Sequence, residues 1–546
     1  MEDDTFDHLI IDNKDKKEEE TQEVNQKSRI TLLLEACGWR FLVFLFFSQF
    51  ACKGFLMIIV RNIMLPLFRN KVDAATLQIY IIVCMIPWSI KPLIGLCSDY
   101  ILIWGYHKRG WLLFSLVLGV MASIVLLCQI PSSVVWVVCF MGINFEIALF
   151  DLLSEGKYAE IRRDNKKLGS DLTTFTQALQ TCGQLAGTCL VGLLSDSNQF
   201  LVLYVFVLVF CVLPLPPTLL GWLPEIREIF EEEENRCSIK KFISFSNKDH
   251  FWEELPKILV VFICGIAGIF VSILTTLIPN PWGPFVGLFV SILFLLVILW
   301  GSNKAFSAQP LITAVALYQV VTTLSSPIIG TELDYFYTAT PECLPDGPHF
   351  TYAYFISYTG IVGTAVALLG TLVYHFFLNK LRFRPVLLIT TALACLAGLS
   401  DLAIVLRWNI KLGVPDKVAY MVGEAVLEPL LSTLNWIPVS ALIALSAPKG
   451  MEASCFAFLA GLSNFARMVS ELSGSIVIQF TTSFASLNSD SGTNNNGVGS
   501  AVGGGANCNF DSLWWLVLLC HISFPLVIGI LATWLIPDMG QEERVE

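Results

Sequence analysis

Fourteen stretches of about 20 mainly apolar residues follow one another along this 546-residue sequence. A helix needs about this length to cross the roughly 30 Å hydrocarbon core of a bilayer, because every backbone polar group must be satisfied within the segment. The stretches lie approximately at 40–63, 74–97, 110–130, 132–153, 171–195, 198–223, 256–278, 284–300, 309–331, 352–378, 385–407, 417–446, 452–480 and 512–536. They predict an all-α polytopic membrane protein, with the lipid bilayer as its main surroundings.

Composition excludes the main alternatives to a membrane protein. Only 14% of the residues are charged, against about 25% in a typical soluble domain. Aromatic and β-branched residues are too frequent for a disordered chain. The net charge of -11 also argues against nucleic acid as a partner, because nucleic acid selects clustered Lys and Arg.

The spacing of the stretches predicts a 6+6 helix pseudosymmetric bundle with an extra two-helix hairpin between the halves. The predicted segments are an acidic disordered tail (1–35), an N-terminal six-helix half (36–223), a charged linker (224–255), an inserted hairpin (256–304), a C-terminal six-helix half (305–537) and a short tail (538–546). The Gly/Ser/Asn-rich segment 489–507 is predicted to be a flexible outer loop.

Most Lys and Arg residues fall in the tails and in alternate loops, which predicts that both termini face the cytosol. On this topology a smaller set of basic residues, among them Arg61, Arg69 and Lys71, falls on the opposite side.

The fourth helix of each predicted half carries a similar motif. Glu146-Ile-Ala-Leu-Phe-Asp-Leu-Leu-Ser154 aligns without gaps on Glu424-Ala-Val-Leu-Glu-Pro-Leu-Leu-Ser432, as expected of a transporter with an internal repeat.

Ionisable residues inside the apolar stretches are the strongest functional signal, because each costs at least about 2.5 kcal/mol near the bilayer centre. Glu424 and Glu428 share a helix face, so they require a proton or a cationic partner. Arg467 and Glu471, also four residues apart, can instead neutralise each other. The residues of this kind are Lys53, Lys91, Glu146, Asp151, Glu155, Asp401, Glu424, Glu428, Arg467 and Glu471. The three cations suit an anionic substrate, and the carboxyl groups suit a coupling proton.

Aromatic and cysteine residues give a weaker functional signal than the ionisable residues do. Trp88, Tyr318 and Trp436 can stack on a flat heterocycle, although core or lipid-facing positions are commoner for such side chains. Cys343 and Cys508 are the only cysteines in predicted outer loops, where an oxidising environment permits a disulfide. No Cys or His spacing resembles a metal or haem site, so we expect no cofactor and disfavour a membrane-embedded enzyme.

Several motifs resemble the folate-biopterin transporter family of the major facilitator superfamily, and in particular its parasitic-protozoan branch. The segment from Gly95 to Asp99 and the basic loop that follows it are similar to the superfamily's loop after the second helix. The more specific matches are Lys53-Gly54, Pro87-Trp-Ser-Ile-Lys-Pro-Leu-Ile-Gly-Leu-Cys-Ser-Asp99, Gly105-Tyr-His-Lys-Arg109 and Asp151-Leu-Leu-Ser-Glu-Gly-Lys-Tyr-Ala-Glu160.

The resemblance implies a monomeric plasma-membrane carrier of folate or pterin, which works by alternating access with or without a coupling proton. It implies functional roles for Lys53, Lys91, Asp99, Arg109, Asp151, Glu155 and Tyr158. We expect substrate binding by Lys53, Lys91, Trp88, Glu146, Asp151, Glu424 and Arg467, a proton relay through Asp151, Glu146, Glu424 and Glu428, and gating by Asp99, Arg109, Glu155 and Tyr158. A carrier of S-adenosylmethionine and a sensor that binds without transporting remain alternatives.

Overall fold

The structure is a computed structural model that describes residues 29–164, 171–227, 243–245, 252, 255–307, 310–446, 452–489 and 508–540. Four predicted features lie wholly or largely outside these residues. They are the acidic N-terminal tail, the charged linker, the Gly-rich outer loop and the end of the C-terminal tail.

Long helices form most of the described chain. Before residue 220 these are α1 (Arg29–Cys37), α2 (Trp39–Phe68), α3 (Ala74–Cys84), α4 (Ile86–Ser89), α5 (Lys91–Tyr100), α6 (Arg109–Leu127), α7 (Ser133–Asp164), α8 (Asp171–Asp196) and α9 (Phe200–Leu219). Two short strands, β1 (Ile101–Ile103) and β2 (Ile243–Phe245), form an antiparallel pair. After β2 the helices are α10 (Leu255–Leu277), α11 (Trp282–Ala305), α12 (Pro310–Leu324), α13 (Gly330–Tyr337), α14 (Ala353–Leu378), α15 (Phe383–Val405), α16 (Trp408–Lys411), α17 (Asp416–Ile443), α18 (Glu452–Ser489) and α19 (Leu513–Leu535).

Ten helices in the described ranges are long and apolar enough to cross a membrane, by length and composition, and they coincide with ten of the predicted stretches. The other four predicted stretches correspond to α3–α5, α8, α12 and α18. Helix α12 has only 15 residues, and α8 and α18 contain many Ser, Thr and Gln residues. The stretch α3–α5 is interrupted at Met85 and Ile90, because nearby prolines remove backbone donors. The chain is therefore a multi-pass, almost entirely helical membrane protein.

The two ends of the helix bundle are easily distinguished. At one end, which we name the disulfide end, Cys343 and Cys508 form a disulfide with an S–S distance of 2.07 Å. At the other, which we name the strand end, β1 pairs with β2 and Ile101 lies opposite Phe245. Helices α3, α14 and α17 begin at the disulfide end, whereas α2 and α6 begin at the strand end.

Two seams join the N-terminal helices α2–α9 to the C-terminal helices α12–α19. In the first seam, between α3 and α18, the Gln78 side-chain amide donates to the carbonyls of Ile328 and Glu471, both at 2.5 Å. Helix α18 approaches α3 so closely that a Cβ on Gly474 would lie 2.8 Å from the Gln78 side-chain nitrogen. In the second seam, between α8 and α14, the Asp196 carboxylate accepts hydrogen bonds from the first backbone amides of α14. Both seams are closed at the disulfide end.

The α10–α11 hairpin packs against both groups of helices. Gly265 of α10 lies against Leu93 of α5, so closely that a Cβ there would be 2.5 Å from the Leu93 Cβ. On its other side, Ser272 of α10 donates to the Met468 sulfur of α18 at 3.5 Å. The hairpin therefore lies across the first seam. One cluster of buried apolar side chains fills the N-terminal helices and extends to α13 and α19. Another fills the region where the hairpin meets the C-terminal helices.

Candidate functional site

Asp151 on α7 is the centre of a buried ion-pair cluster within the N-terminal helices. Its carboxylate is only 2% exposed, and one oxygen lies 2.6 Å from the Lys53 ammonium nitrogen of α2. The other oxygen accepts a hydrogen bond from Lys91, the first residue of α5. Lys53 also contacts Glu155, at 2.9 Å. We name Lys53, Lys91, Asp151 and Glu155, with Tyr158, the lysine cluster.

Local sequence explains how these side chains meet. Asp151 and Glu155 are four residues apart, so both face Lys53 from successive turns of α7. Tyr158 lies on the next turn, with its hydroxyl at Glu155. Lys91 reaches the cluster because the chain restarts as α5 after the interruption at Ile90. The sequence predicted gating roles for Glu155 and Tyr158. The structure places Glu155 in direct contact with the predicted binding residue Lys53, and Tyr158 in contact with Glu155.

Trp88 forms one wall of the lysine cluster. The Lys91 ammonium group lies 4.0 Å from the centre of the Trp88 ring, a distance that permits a cation–π interaction. The indole N–H donates to Asn144 of α7 at 3.1 Å, which fixes the plane of the ring. Asn464 of α18 donates to the Trp88 carbonyl at 3.0 Å, so the wall is also connected to the C-terminal helices.

The charges of the lysine cluster balance, because two ammonium groups face two carboxylates. One interpretation is purely structural, since buried charges are commonly retained in pairs. The cluster can also bind an anion, because a ligand carboxylate can replace Asp151 or Glu155 as the partner of a lysine. Lys53 and Glu155 have side-chain exposures of 18% and 26%, so this edge of the cluster is not fully buried.

Glu146 does not belong to the lysine cluster, although the sequence predicted a relay between Glu146 and Asp151. Glu146 is fully buried and packs against Gly119 of α6, where a Cβ would lie only 1.8 Å from its carboxyl oxygen. The thiol of Cys211 on α9 interacts with the carboxyl group. In the described part of the chain no cation pairs with Glu146.

A second group of titratable side chains lies among the C-terminal helices. The His521 imidazole of α19 is 2.9 Å from one carboxylate oxygen of Asp401 on α15, and the Tyr337 hydroxyl donates to the other at 3.3 Å. The carboxyl group of Glu424 on α17 lies within hydrogen-bonding reach of Asp401. We name Tyr337, Asp401, Glu424 and His521 the carboxyl cluster.

Arg61 connects the two groups of helices electrostatically. It was predicted on the outer side, yet it lies within the 30-residue helix α2. Its side chain is exposed although the neighbouring Val60 and Ile63 are buried, and its charged neighbours all come from α13, α17 and α18. Arg61 therefore faces the space between the groups. The charged neighbours are Asp334, Glu428, Arg467 and Glu471.

Arg467 lies opposite Arg61 and pairs with Glu471 on its own helix, at 3.3 Å. This is the self-neutralising pair that the spacing of four residues allows, but half of the Arg467 side chain remains exposed. Glu428 is exposed toward the same space. Sequence reasoning missed Arg61, and the available signal was the length of the apolar helix that contains it.

The predicted gating residues lie at the strand end. The charged neighbours of Asp99 are His107 and Lys108. Arg109 donates to the Leu219 carbonyl and lies 5.2 Å from the Tyr106 ring, so its contacts remain within the N-terminal helices.

Of the other aromatic residues that the sequence singled out, Tyr318 is buried, whereas Trp436 is 53% exposed. The described ranges contain no group of three or more His, Cys, Asp or Glu residues that could hold a metal ion.

Similar sequences carry transporter names. The "Probable folate-biopterin transporter 6" of Arabidopsis thaliana is 24% identical over 415 residues, which are 75% of this chain and 69% of the relative. A "Folate-biopterin transporter" of Synechocystis sp. is 21% identical over 394 residues, 72% of this chain and 65% of the relative.

Solved structures with a similar fold are also transporters. An auto-inhibited POT family peptide transporter superimposes with a TM-score of 0.62 at 12% identity, covering 93% of this chain and 98% of that chain. A D-xylose-proton symporter gives a TM-score of 0.52 at 12% identity, covering 95% and 100%. At these identities the likeness concerns the fold alone, which the chain shares with these transporters. The BT1 family model matches residues 53–546, most of the sequence, and the chain therefore belongs to the BT1 family.

Proposed function

We propose that this protein carries folate or a related pteridine across the plasma membrane by alternating access. The observation that carries the proposal is the lysine cluster, where two lysines from different helices meet at the buried Asp151 beside the Trp88 ring. Such a cluster offers cationic partners for a carboxylate and an aromatic face for a flat heterocycle. The printed names of the relatives support the same substrate class.

Arg61 and Arg467 supply a second cationic region. Arg61 is eight residues after Lys53 on α2, about 12 Å along the helix axis. An elongated substrate can therefore contact the lysine cluster at one end and the arginines at the other. A disulfide is stable in an oxidising compartment, which supports an extracellular disulfide end and cytosolic termini. In that orientation both seams close the substrate space to the outside.

Replacing Lys91 tests the proposal directly. We expect Lys91→Ala to reach the membrane but to lose labelled folate uptake by at least about tenfold, because removal of one cation from a close pair costs several kcal/mol. Lys411→Ala, at an exposed lysine of α16, is the matched control and should transport normally. Uptake of labelled folate by liposomes that contain each purified protein gives the comparison. The amount of each protein at the cell surface is measured in parallel. Normal uptake by Lys91→Ala would contradict the assigned role.

S-adenosylmethionine is the second candidate substrate, because the carboxyl cluster offers negative groups to a ligand that also bears positive charge. Competition of folate, biopterin, methotrexate and S-adenosylmethionine against labelled folate uptake in a null background distinguishes the substrates. Binding of folate without flux into proteoliposomes would instead indicate a sensor.

A further inference from the structure

We propose that Asp401 and Glu424, with His521, form the proton-binding site of the carrier. The inference rests on the proposed transport function and adds the ion that drives it. The two carboxyl groups come from different helices, α15 and α17, and lie within hydrogen-bonding reach of one another. A hydrogen bond between two carboxyl groups requires a proton on one of them, because two carboxylates offer only acceptors.

The surroundings leave a proton as the natural partner of this pair. Asp401 is 3% exposed, so two ionised carboxylates here would repel each other at low dielectric. The only basic side chain that contacts the pair, among the described residues, is His521, whose imidazole lies 2.9 Å from Asp401. One imidazole can offset at most one of two negative charges.

Other charged and titratable groups face the pair from each helix packed around it. Arg61 and Arg467 interact with Glu428 and Glu471, whereas neither arginine is among the interacting neighbours of Asp401 and Glu424. The surrounding groups are Asp334 and Tyr337 of α13, Tyr420 and Glu428 of α17, Tyr354 of α14, Arg467 and Glu471 of α18, His521 of α19 and Arg61 of α2, with Arg69 beyond Asp334.

The position of Glu424 also fits a mobile proton better than a fixed neutral carboxyl. Its counterpart in the repeated motif, Glu146, is fully buried against Gly119. Glu424 is partly exposed, and Glu428, one turn further along the same helix, is exposed toward the space that contains Arg61. A proton entering that space can reach Glu424 through Glu428 and can be held by Asp401 and His521.

Proteoliposomes containing the full chain test the inference. A gradient of one pH unit can drive about tenfold accumulation of substrate for each proton carried. We expect the wild type and the exposed-loop control Glu342→Gln to accumulate labelled folate under this gradient. Asp401→Asn should lose accumulation, while exchange of internal for external folate falls by no more than about threefold, because exchange requires no net proton movement. Glu424→Gln should likewise lose accumulation.

Each outcome has a defined meaning. Accumulation by both variants at the wild-type level, or a wild type that ignores the gradient, overturns the proton site. A wild type that does not exchange folate overturns the proposed function instead. If a variant cannot be reconstituted, external pH is followed while folate is added to liposomes that contain the unmodified protein. Alkalinisation of the medium supports proton uptake with the substrate, and its absence overturns the inference.

Discussion

The absence of a side chain at Gly119 makes room for the carboxyl group of Glu146. We expect Gly119→Ala to lower stability by about 1–3 kcal/mol, because the added methyl group overlaps a carboxyl oxygen in a packed interior. Thermal unfolding in detergent measures the effect. Gly330→Ala is the matched control, since a Cβ there meets nothing within 4 Å. Failure of Glu146→Ala to restore stability in the Gly119→Ala background would contradict the proposed clash.

Among individual residues, the sequence predicted some members of the site and missed others for physical reasons. The sequence identified Lys53, Lys91 and Asp151, because an ionisable residue is conspicuous inside an apolar stretch. It did not separate Glu146 from Asp151, since both lie in one stretch and only the packing of α6 decides which face each side chain occupies. His521 gave no local signal, because its partner Asp401 is 120 residues away.

Among the helices, the two closed seams hold the bundle closed at the disulfide end. We expect Gly474→Ala to weaken closure at the disulfide end, because its methyl group would overlap the Gln78 side chain of α3 and the Ile328 carbonyl to which that side chain donates. Hydrogen exchange should rise in α3 and in α18 near residue 474, while β1 remains unaffected. Unchanged exchange in α3 would show that the seam tolerates the methyl group, and Gly330→Ala again serves as the control.

Helix positions were predictable to within a few residues for most elements, since length and apolar composition determine them. The interruption of α3–α5 is consistent with Pro87 and Pro92, which remove backbone donors within the apolar stretch. The closed seams were not foreseeable, because they depend on contacts such as Gln78 with Ile328, which are 250 residues apart and have no local pattern.

For the whole molecule, the disulfide connects two segments that are 165 residues apart in sequence. We expect Cys508→Ser to lower stability by about 2–4 kcal/mol, because the bond restricts the unfolded chain. The melting temperature with and without reductant measures this, and the reductant should have no further effect on the variant. On intact cells, an impermeant reductant should break the bond if the disulfide end is extracellular. Protection of the bond would contradict an extracellular disulfide end.

The α10–α11 hairpin also has a consequence for movement of the whole bundle. It contacts Leu93 of α5 on one side and Met468 of α18 on the other, and so bridges the first seam. No comparable pair of helices spans the second seam in the described ranges. A seam that is bridged by a helix pair resists separation more than an unbridged one. We therefore expect the two groups of helices to rotate about an axis along the hairpin, so that α8 and α14 move apart.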